Sequence, residues 1–342
     1  MSADDLDNDI PSPRETNVLF GHADAERVLL DSYKSGRMAH AWLIGGEPGI
    51  GKATLAYRLA RFALAHPDPR AAEVQRATSL AVNPEHPVAR RVTAQAQGGL
   101  LTLERVINEK TGKLFTEIRV EDIRRIVPFF GATAAEGNWR IAIIDAVDEL
   151  NRFGANALLK VLEEPPERSF LLLVSHAPGR VLPTIRSRCR RLLLRPLETA
   201  DVARAVAAAT GRNADEREIL EAANAAGGSV ARAVALLDDK ARALRQRVLD
   251  LIAQLPEPDP RALHALGDAL GGSEPQTLAV FIDMVNAWLA ARVESSAEKQ
   301  RLNRLALAWD KVNRAAREAD VYNLERKPLV FAVFGALAEA AR

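Results

Sequence analysis

Five short apolar runs punctuate the first half of the chain: Ala41–Ile44, Leu100–Leu103, Ile141–Ile144, Phe170–Val174 and Leu192–Leu194. They are too short for ordinary helices and too continuous for strands with one wet face, so they predict strands of a parallel sheet buried on both sides. Longer stretches with apolar residues every three or four positions, such as Leu55–Leu64, lie between them. That alternation predicts an α/β layered domain over residues 16–196. After Pro196 the strand-like runs stop, and Thr199–Ala209 and Asp215–Leu237 read as short amphipathic helices, the second broken by Gly227 and Gly228. This predicts a small helical lid over residues 197–240. Longer helical patterns follow, Leu278–Val293 and Leu302–Ala319, after a Pro-containing turn at Pro256–Pro260. They predict an all-helical domain over residues 241–342.

Two segments stand apart from this rhythm. Residues 1–15 combine Asp4, Asp5, Asp7 and Asp9 with Pro11 and Pro13, the composition of a flexible acidic tail. Residues 71–99 carry Pro84, Pro87, Gly98 and Gly99 with little periodicity and read as a surface insertion. With 48% hydrophobic and 27% charged residues, the 342-residue chain is of the globular class. The 46 Lys and Arg nearly balance the 45 Asp and Glu, so no global field draws the molecule to nucleic acid or an anionic membrane. No apolar run approaches the ~20 residues of a spanning helix. The amino terminus is acidic where a signal peptide is basic, and the expectation is a cytoplasmic protein. Cys189 is the one cysteine, which excludes an internal disulfide and a multi-cysteine zinc site.

The clearest chemistry lies in Trp42 to Thr54, where the first apolar strand runs into Gly45-Gly46-Glu47-Pro48-Gly49-Ile50-Gly51-Lys52 and then into a helical pattern. Gly46, Gly49 and Gly51 let backbone amides converge on phosphate oxygens, the following helix offers its positive end, and Lys52 reaches terminal phosphates. This is a nucleotide site for ATP or ADP. The residue after the lysine, which should carry a hydroxyl for magnesium, is Ala53. Thr54 comes one position late, and one residue rotates a side chain by about 100° around a helix. Magnesium should therefore be held weakly, with Asp145 as the remaining ligand.

Asp145 ends the Ile141–Ile144 run at the carboxyl edge of the predicted sheet, where ligands of α/β folds bind. A glutamate next to such an aspartate would serve as general base; this chain has Ala146, and losing a base costs about 10²–10⁴ in rate. Asp148 and Glu149 are either substitutes for it or solvated first-turn residues of the next helix.

Three further motifs carry a family resemblance. Asn156-Ala157-Leu158-Leu159-Lys160-Val161-Leu162-Glu163-Glu164-Pro165-Pro166, then Phe170–Val174, then Thr184-Ile185-Arg186-Ser187-Arg188-Cys189-Arg190 resemble the core of bacterial DNA polymerase III clamp-loader subunits. Tyr322-Asn323-Leu324-Glu325-Arg326-Lys327-Pro328-Leu329-Val330-Phe331 resembles the end of the delta-prime type. The resemblance implies an AAA+ fold: a RecA-like parallel sheet with helices on both faces, a helical lid and an all-α collar. It implies a stator in a hetero-oligomer with the loader's ATPase subunit and delta subunit, supporting ATP-dependent loading of the sliding clamp on primed DNA, with little or no ATPase activity alone. Arg188, flanked by Ser187 and Cys189, would be the finger supplied in trans to a neighbour's ATP, an effect worth ~10³–10⁵ in other phosphoryl-transfer systems. Ser175 matches a polar sensor position, or simply caps its strand.

Departures from the family pattern narrow the type. Ala53 and Ala146 depart from a hydrolysing subunit, and Ala231 stands in Gly228-Ser229-Val230-Ala231-Arg232 where such a subunit's sensor arginine would align, with Arg232 next to it. Relatives carry a four-cysteine zinc module in the region of residues 71–99, but here His86 stands alone and no zinc is expected. Arg119, Arg124 and Arg125 are the local cluster that could meet DNA phosphates. Two rival readings remain: an autonomous AAA+ ATPase of replication or repair, and a scaffold that binds no nucleotide.

Overall fold

Each strand sorts alternate side chains onto two faces, and where both faces are covered, as in Ala41–Gly45, Arg140–Asp145 and Ser169–Ser175, the strand reads as an unbroken apolar run. The computed structural model describes residues 11–106, 115, 117–131, 138–271, 275–294, 296, 298–321 and 324–341. Residues 1–10 of the tail expected over 1–15, and Tyr322 and Asn323 of the carboxy-terminal motif, lie outside the described residues. The chain divides into two compact units, Met1–Val234 and Ala235–Arg342.

In the first unit, β1 (Ala41–Gly45), β2 (Leu100–Glu104), β3 (Arg140–Asp145), β4 (Ser169–Ser175) and β5 (Arg190–Leu193) form one sheet in the order β2-β3-β4-β1-β5. All pairings are parallel. This is the α/β layer with a parallel sheet expected from the sequence. The first four apolar runs lie within strands, whereas β5 begins two residues before the run Leu192–Leu194 and ends one residue short of its last leucine. The helices of this unit are α1 (Ala23–Lys34), α2 (Lys52–Ala65), α3 (Ala72–Arg76), α4 (Pro87–Thr93), α5 (Val120–Arg124), α6 (Ile126–Gly131), α7 (Arg152–Glu163), α8 (Pro183–Arg186), α9 (Thr199–Thr210), α10 (Arg217–Ala225) and α11 (Val230–Ala235), whose last residue opens the second unit. Trp42, Ile44, Ile143, Phe170 and Leu172 pack on one face with Leu29 and Tyr33 of α1 and Leu55 and Leu59 of α2. Ala41, Leu43, Ile144, Leu171 and Leu173 pack on the other with Ile123, Leu158 and Ile185. Each large apolar side chain buried in this way contributes about 1.5–3 kcal/mol.

Two arginines of α2 lie inside rather than on the surface. Arg58 and Arg61 are only 6% and 2% exposed. Arg58 makes a bifurcated contact with Glu26, at 2.9 Å from Nε and 2.6 Å from Nη2, and donates to the Asn17 carbonyl. Arg61 donates to Asn17 Oδ1 at 2.5 Å and to the Thr16 carbonyl at 2.7 Å, with the Pro13 and Arg14 carbonyls at 3.4 Å. Burial, and then the charge of Arg58, lower the Arg61 pKa to about 10. Arg61 Nε finds no partner among the described residues, so the oxygens facing the two terminal nitrogens are what make such burial tolerable.

The second unit holds α12 (Asp239–Ala253), α13 (Pro260–Gly271), α14 (Pro275–Glu294), α15 (Lys299–Val321) and α16 (Arg326–Ala341). Its core gathers Val248, Leu266, Phe281, Val285, Leu289, Val312, Val330, Val333, Phe334 and Leu337. Asn286 and Asn313 exchange side-chain amide bonds at 3.1 and 3.0 Å, tying α14 to α15 at a fixed register.

Candidate functional site

The glycine-rich turn joins β1 to α2, and the carboxyl ends of β1, β3 and β4 converge beside it. Gly46 NH donates to the Ser175 carbonyl at 3.3 Å, and Gly51, at φ 97°, is the residue before the helix. Lys52 opens α2 and is 3% exposed, with its ammonium donating to the carbonyl of Glu47 in its own loop. Burial lowers the Lys52 pKa to about 8 against the pull of Asp145, Asp148 and Glu47. Asp145 ends β3 in register with Glu104, and burial raises it to about 6, with Lys52 opposing the rise. Desolvation therefore exceeds mutual attraction for both members of this pair. A buried cation, turn amides and the positive end of a 14-residue helix suit the oxygens of a phosphate.

The remaining site residues are divided between this loop and other work. Ser175 is fully buried and its hydroxyl has no hydrogen-bond partner among the described residues, so it does not cap its strand. The buried Nδ1 of His176 is likewise unpartnered. Asp148 accepts the His176 NH with both carboxylate oxygens, at 2.9 and 3.2 Å, and Glu149 pairs with Arg105 at 2.8 Å. The reading of Asp148 and Glu149 as merely solvated thus fails. Each is tied to a neighbouring segment, and the chain following Asp145 forms a short 3-10 turn, Val147–Glu149, rather than the start of a helix. Ala146 is 1% exposed, its methyl buried where a base would need to stand. Thr54 and Ala53 are half-buried on the first turn of α2.

The start of α11 sits directly on the loop. The Gly49 carbonyl accepts from Val230 NH at 2.9 Å and Ala231 NH at 3.4 Å. Gly49 has φ +75°, and a Cβ there would fall 2.3 Å from Ser229 Oγ and 2.7 Å from Ala231 Cβ. Glycine is required twice over, for the backbone conformation and for the close approach. Arg232 turns back into the lid, donating to the Ala226 carbonyl at 3.2 Å. His22, missed in the sequence, locks the other side: its Nε2 lies 2.7 Å from the Ile50 carbonyl, and burial lowers its pKa.

Arg188 belongs to a different edge. It follows α8 and precedes β5, at 36% side-chain exposure. Nη2 pairs with Glu163 at 2.8 Å, and Nη1 donates to the Thr184 carbonyl at 2.9 Å and Ser187 Oγ at 3.5 Å. Ser187 Oγ itself donates to the Thr184 carbonyl at 3.1 Å. Cys189 is half-buried, and burial pushes its thiol up to about 12. Of the arginines considered for DNA, Arg119 and Arg125 both pair with the carboxylate of Asp122, at 2.8 and 3.6 Å. Among the described residues there is no cluster of three or more His, Cys, Asp or Glu suited to a metal, and no helix is long and apolar enough to cross a membrane.

The sequence profile of the family described as DNA polymerase III, delta subunit matches residues 21–198, just over half of the chain and all five strands. The chain belongs to that family. Among individual relatives of this family member, DNA polymerase III subunit delta' of Pseudomonas aeruginosa is 36% identical over 151 residues, 44% of this chain and 42% of that one. The subunit delta' of Escherichia coli K12 is 29% identical over 174 residues, 49% of this chain and 46% of that one. The chain spans about half the length of these curated relatives. Among solved structures, a DNA polymerase III gamma subunit-related protein of Thermotoga maritima aligns with a TM-score of 0.43 and 17% identity over 92% of this chain and 100% of that one.

Proposed function

We propose that this chain is the delta-prime-like stator of a DNA polymerase III clamp loader, lending Arg188 to ATP bound on a neighbouring ATPase subunit. The observation that carries this reading is the division of labour within the first unit. Its own phosphate loop has a cation but neither the hydroxyl at Ala53 nor a carboxylate at Ala146, whereas Arg188 stands half-open before the amino end of β5, the loop leaving the opposite, carboxyl end of the adjacent parallel strand β1. A guanidinium so exposed can meet the oxygens of a phosphoryl group carried by another subunit and offset the charge that develops there. Water attacks that phosphorus and the bond to the ADP oxygen breaks on the neighbour; Arg188 forms and breaks no covalent bond.

Within the chain itself, Lys52, the amides between Gly46 and Gly51, and Ser175 would hold the phosphates of ATP or ADP, whose role here is structural. Thr54 would have to reach across from its displaced position, and Asp145 would be left as the main partner of a weakly held magnesium. The second reading, a scaffold without nucleotide, is favoured by the Lys52 bond to its own loop and by the lid seated on Gly49. A nucleotide titration of the purified chain separates the two. The partners proposed are the ATPase subunit, the delta subunit and the sliding clamp, with primed DNA reached through the complex and the second unit serving as the collar.

The test is clamp- and DNA-stimulated ATPase of the reconstituted loader with Arg188→Ala at saturating subunit. A fall of about 10³ or more with an intact complex is the expected result. An unchanged rate would leave the chain with an architectural part only.

A further inference from the structure

The Arg188 guanidinium is held before any neighbour arrives. Three contacts fix it: Glu163 Oε1 at 2.8 Å from Nη2, and the Thr184 carbonyl and Ser187 Oγ at 2.9 and 3.5 Å from Nη1. Thr184 and Ser187 belong to the same turn as the arginine and move with it. Glu163 does not: it is the last residue of α7, which is anchored through Leu158, Val161 and Leu162 in the core beneath the sheet. The turn is seated in the same core by Ile185, and Glu163 is the contact that ties the guanidinium itself to an element other than its own turn. The contacts use the two terminal nitrogens and leave Nε–H without a partner among the described residues, so the guanidinium keeps a donor edge for an incoming anion.

We infer that Glu163 is the positioning residue of Arg188, holding it in the orientation in which it meets a neighbour's phosphoryl group. This rests on the stator reading. An arginine carries large rotamer freedom, and an ion pair to a fixed helix end removes part of it in advance, so that less order has to be imposed at the transition state. The acidic partner stabilises one geometry and is too exposed, at 51%, to contribute much to folding.

The experiment compares Glu163→Ala, Glu163→Gln, Arg188→Ala and the double variant Glu163→Ala/Arg188→Ala in the reconstituted loader. The rate is measured as kcat and as KM for ATP, and the Tm of each subunit is measured alone. The expected result is that Glu163→Ala lowers kcat about three- to tenfold with KM little changed. Its Tm should stay within about 2 °C of wild type. Glu163→Gln, which still presents an oxygen to Nη2, should restore most of the rate, and the double variant should be no slower than Arg188→Ala. If Arg188→Ala collapses the rate but Glu163→Ala leaves it unchanged or raises it, the positioning role is wrong while the stator reading stands. If Arg188→Ala itself has no effect, the stator reading falls and this inference with it. A double variant slower than Arg188→Ala would show that Glu163 acts elsewhere and would also overturn the proposal.

Discussion

The Lys52 and Asp145 pair should destabilise the ligand-free protein, and its replacement by Met and Asn should make the first unit more stable. Burial takes Lys52 from 10.5 to about 8 and Asp145 from 3.8 to about 6. At about 1.4 kcal/mol per unit, each shift corresponds to roughly 3 kcal/mol of unfavourable ionisation. Relaxation and water entry reduce such figures, so a gain of about 2–4 kcal/mol at pH 7 is expected for the double variant Lys52→Met/Asp145→Asn. The pH dependence identifies the cause. Between about pH 8 and 10.5 the unfolded chain binds more protons at Lys52 than the folded one, so stability rises with pH there. Between 3.8 and about 6 the folded state binds more at Asp145, so stability falls as pH rises. Both penalties are in force from about pH 6 to 8, and the advantage of the variant should be largest there, falling by roughly half towards pH 4 and again above pH 10.5. Each single variant strands the other charge and should gain less than the double. Urea unfolding in a Trp288→Phe/Trp309→Phe background, where Trp42 and Trp139 report on the first unit, measures the difference. A double variant less stable than its parent at pH 7, or a difference flat with pH, would refute the reasoning.

Gly49→Ala should cost about 2–3 kcal/mol, combining the left-handed backbone of the turn with the loss of the Val230 hydrogen bond as Ser229 and Ala231 are pushed away; a loss below about 1 kcal/mol in the same urea assay would mean that the lid does not rest on this turn. Cys189, its thiol raised to about 12, should react with a thiol-directed alkylating reagent at pH 8 far more slowly in the folded chain than in urea. Equal rates in the two states would contradict its burial.

The parts of the fold visible in the sequence are those written in local pattern. Ile141–Ile144 and Phe170–Val174 are flanked on both sides and had to be apolar at every position. β5 lies at the edge, where Arg190 and Arg191 are exposed, and only its apolar end gave a signal. Helices α3 and α4, of five and seven residues, are too short to show a helical period, which is why residues 71–99 read as irregular. The glycine turn, Lys52 and Asp145 were legible because strand, turn and helix are contiguous. Glu163, His22 and the Asp148 bond to His176 were not, since each joins segments brought together only by folding. Arg58 and Arg61 were hidden for a different reason: at polar positions of an amphipathic helix, a charged residue is ordinarily read as surface.

Those two arginines carry a practical consequence for anyone shortening this protein. Pro11–Asn17 has the composition of a dispensable leader, yet its carbonyls and the Asn17 amide are the acceptors for two cations sealed inside the domain. Trimming to residue 18 would remove no apolar core and would still strand Arg58 on Glu26 alone and Arg61 with nothing, a defect of the kind that costs several kcal/mol. The true boundary of the domain is set by where its buried charges find their last oxygen.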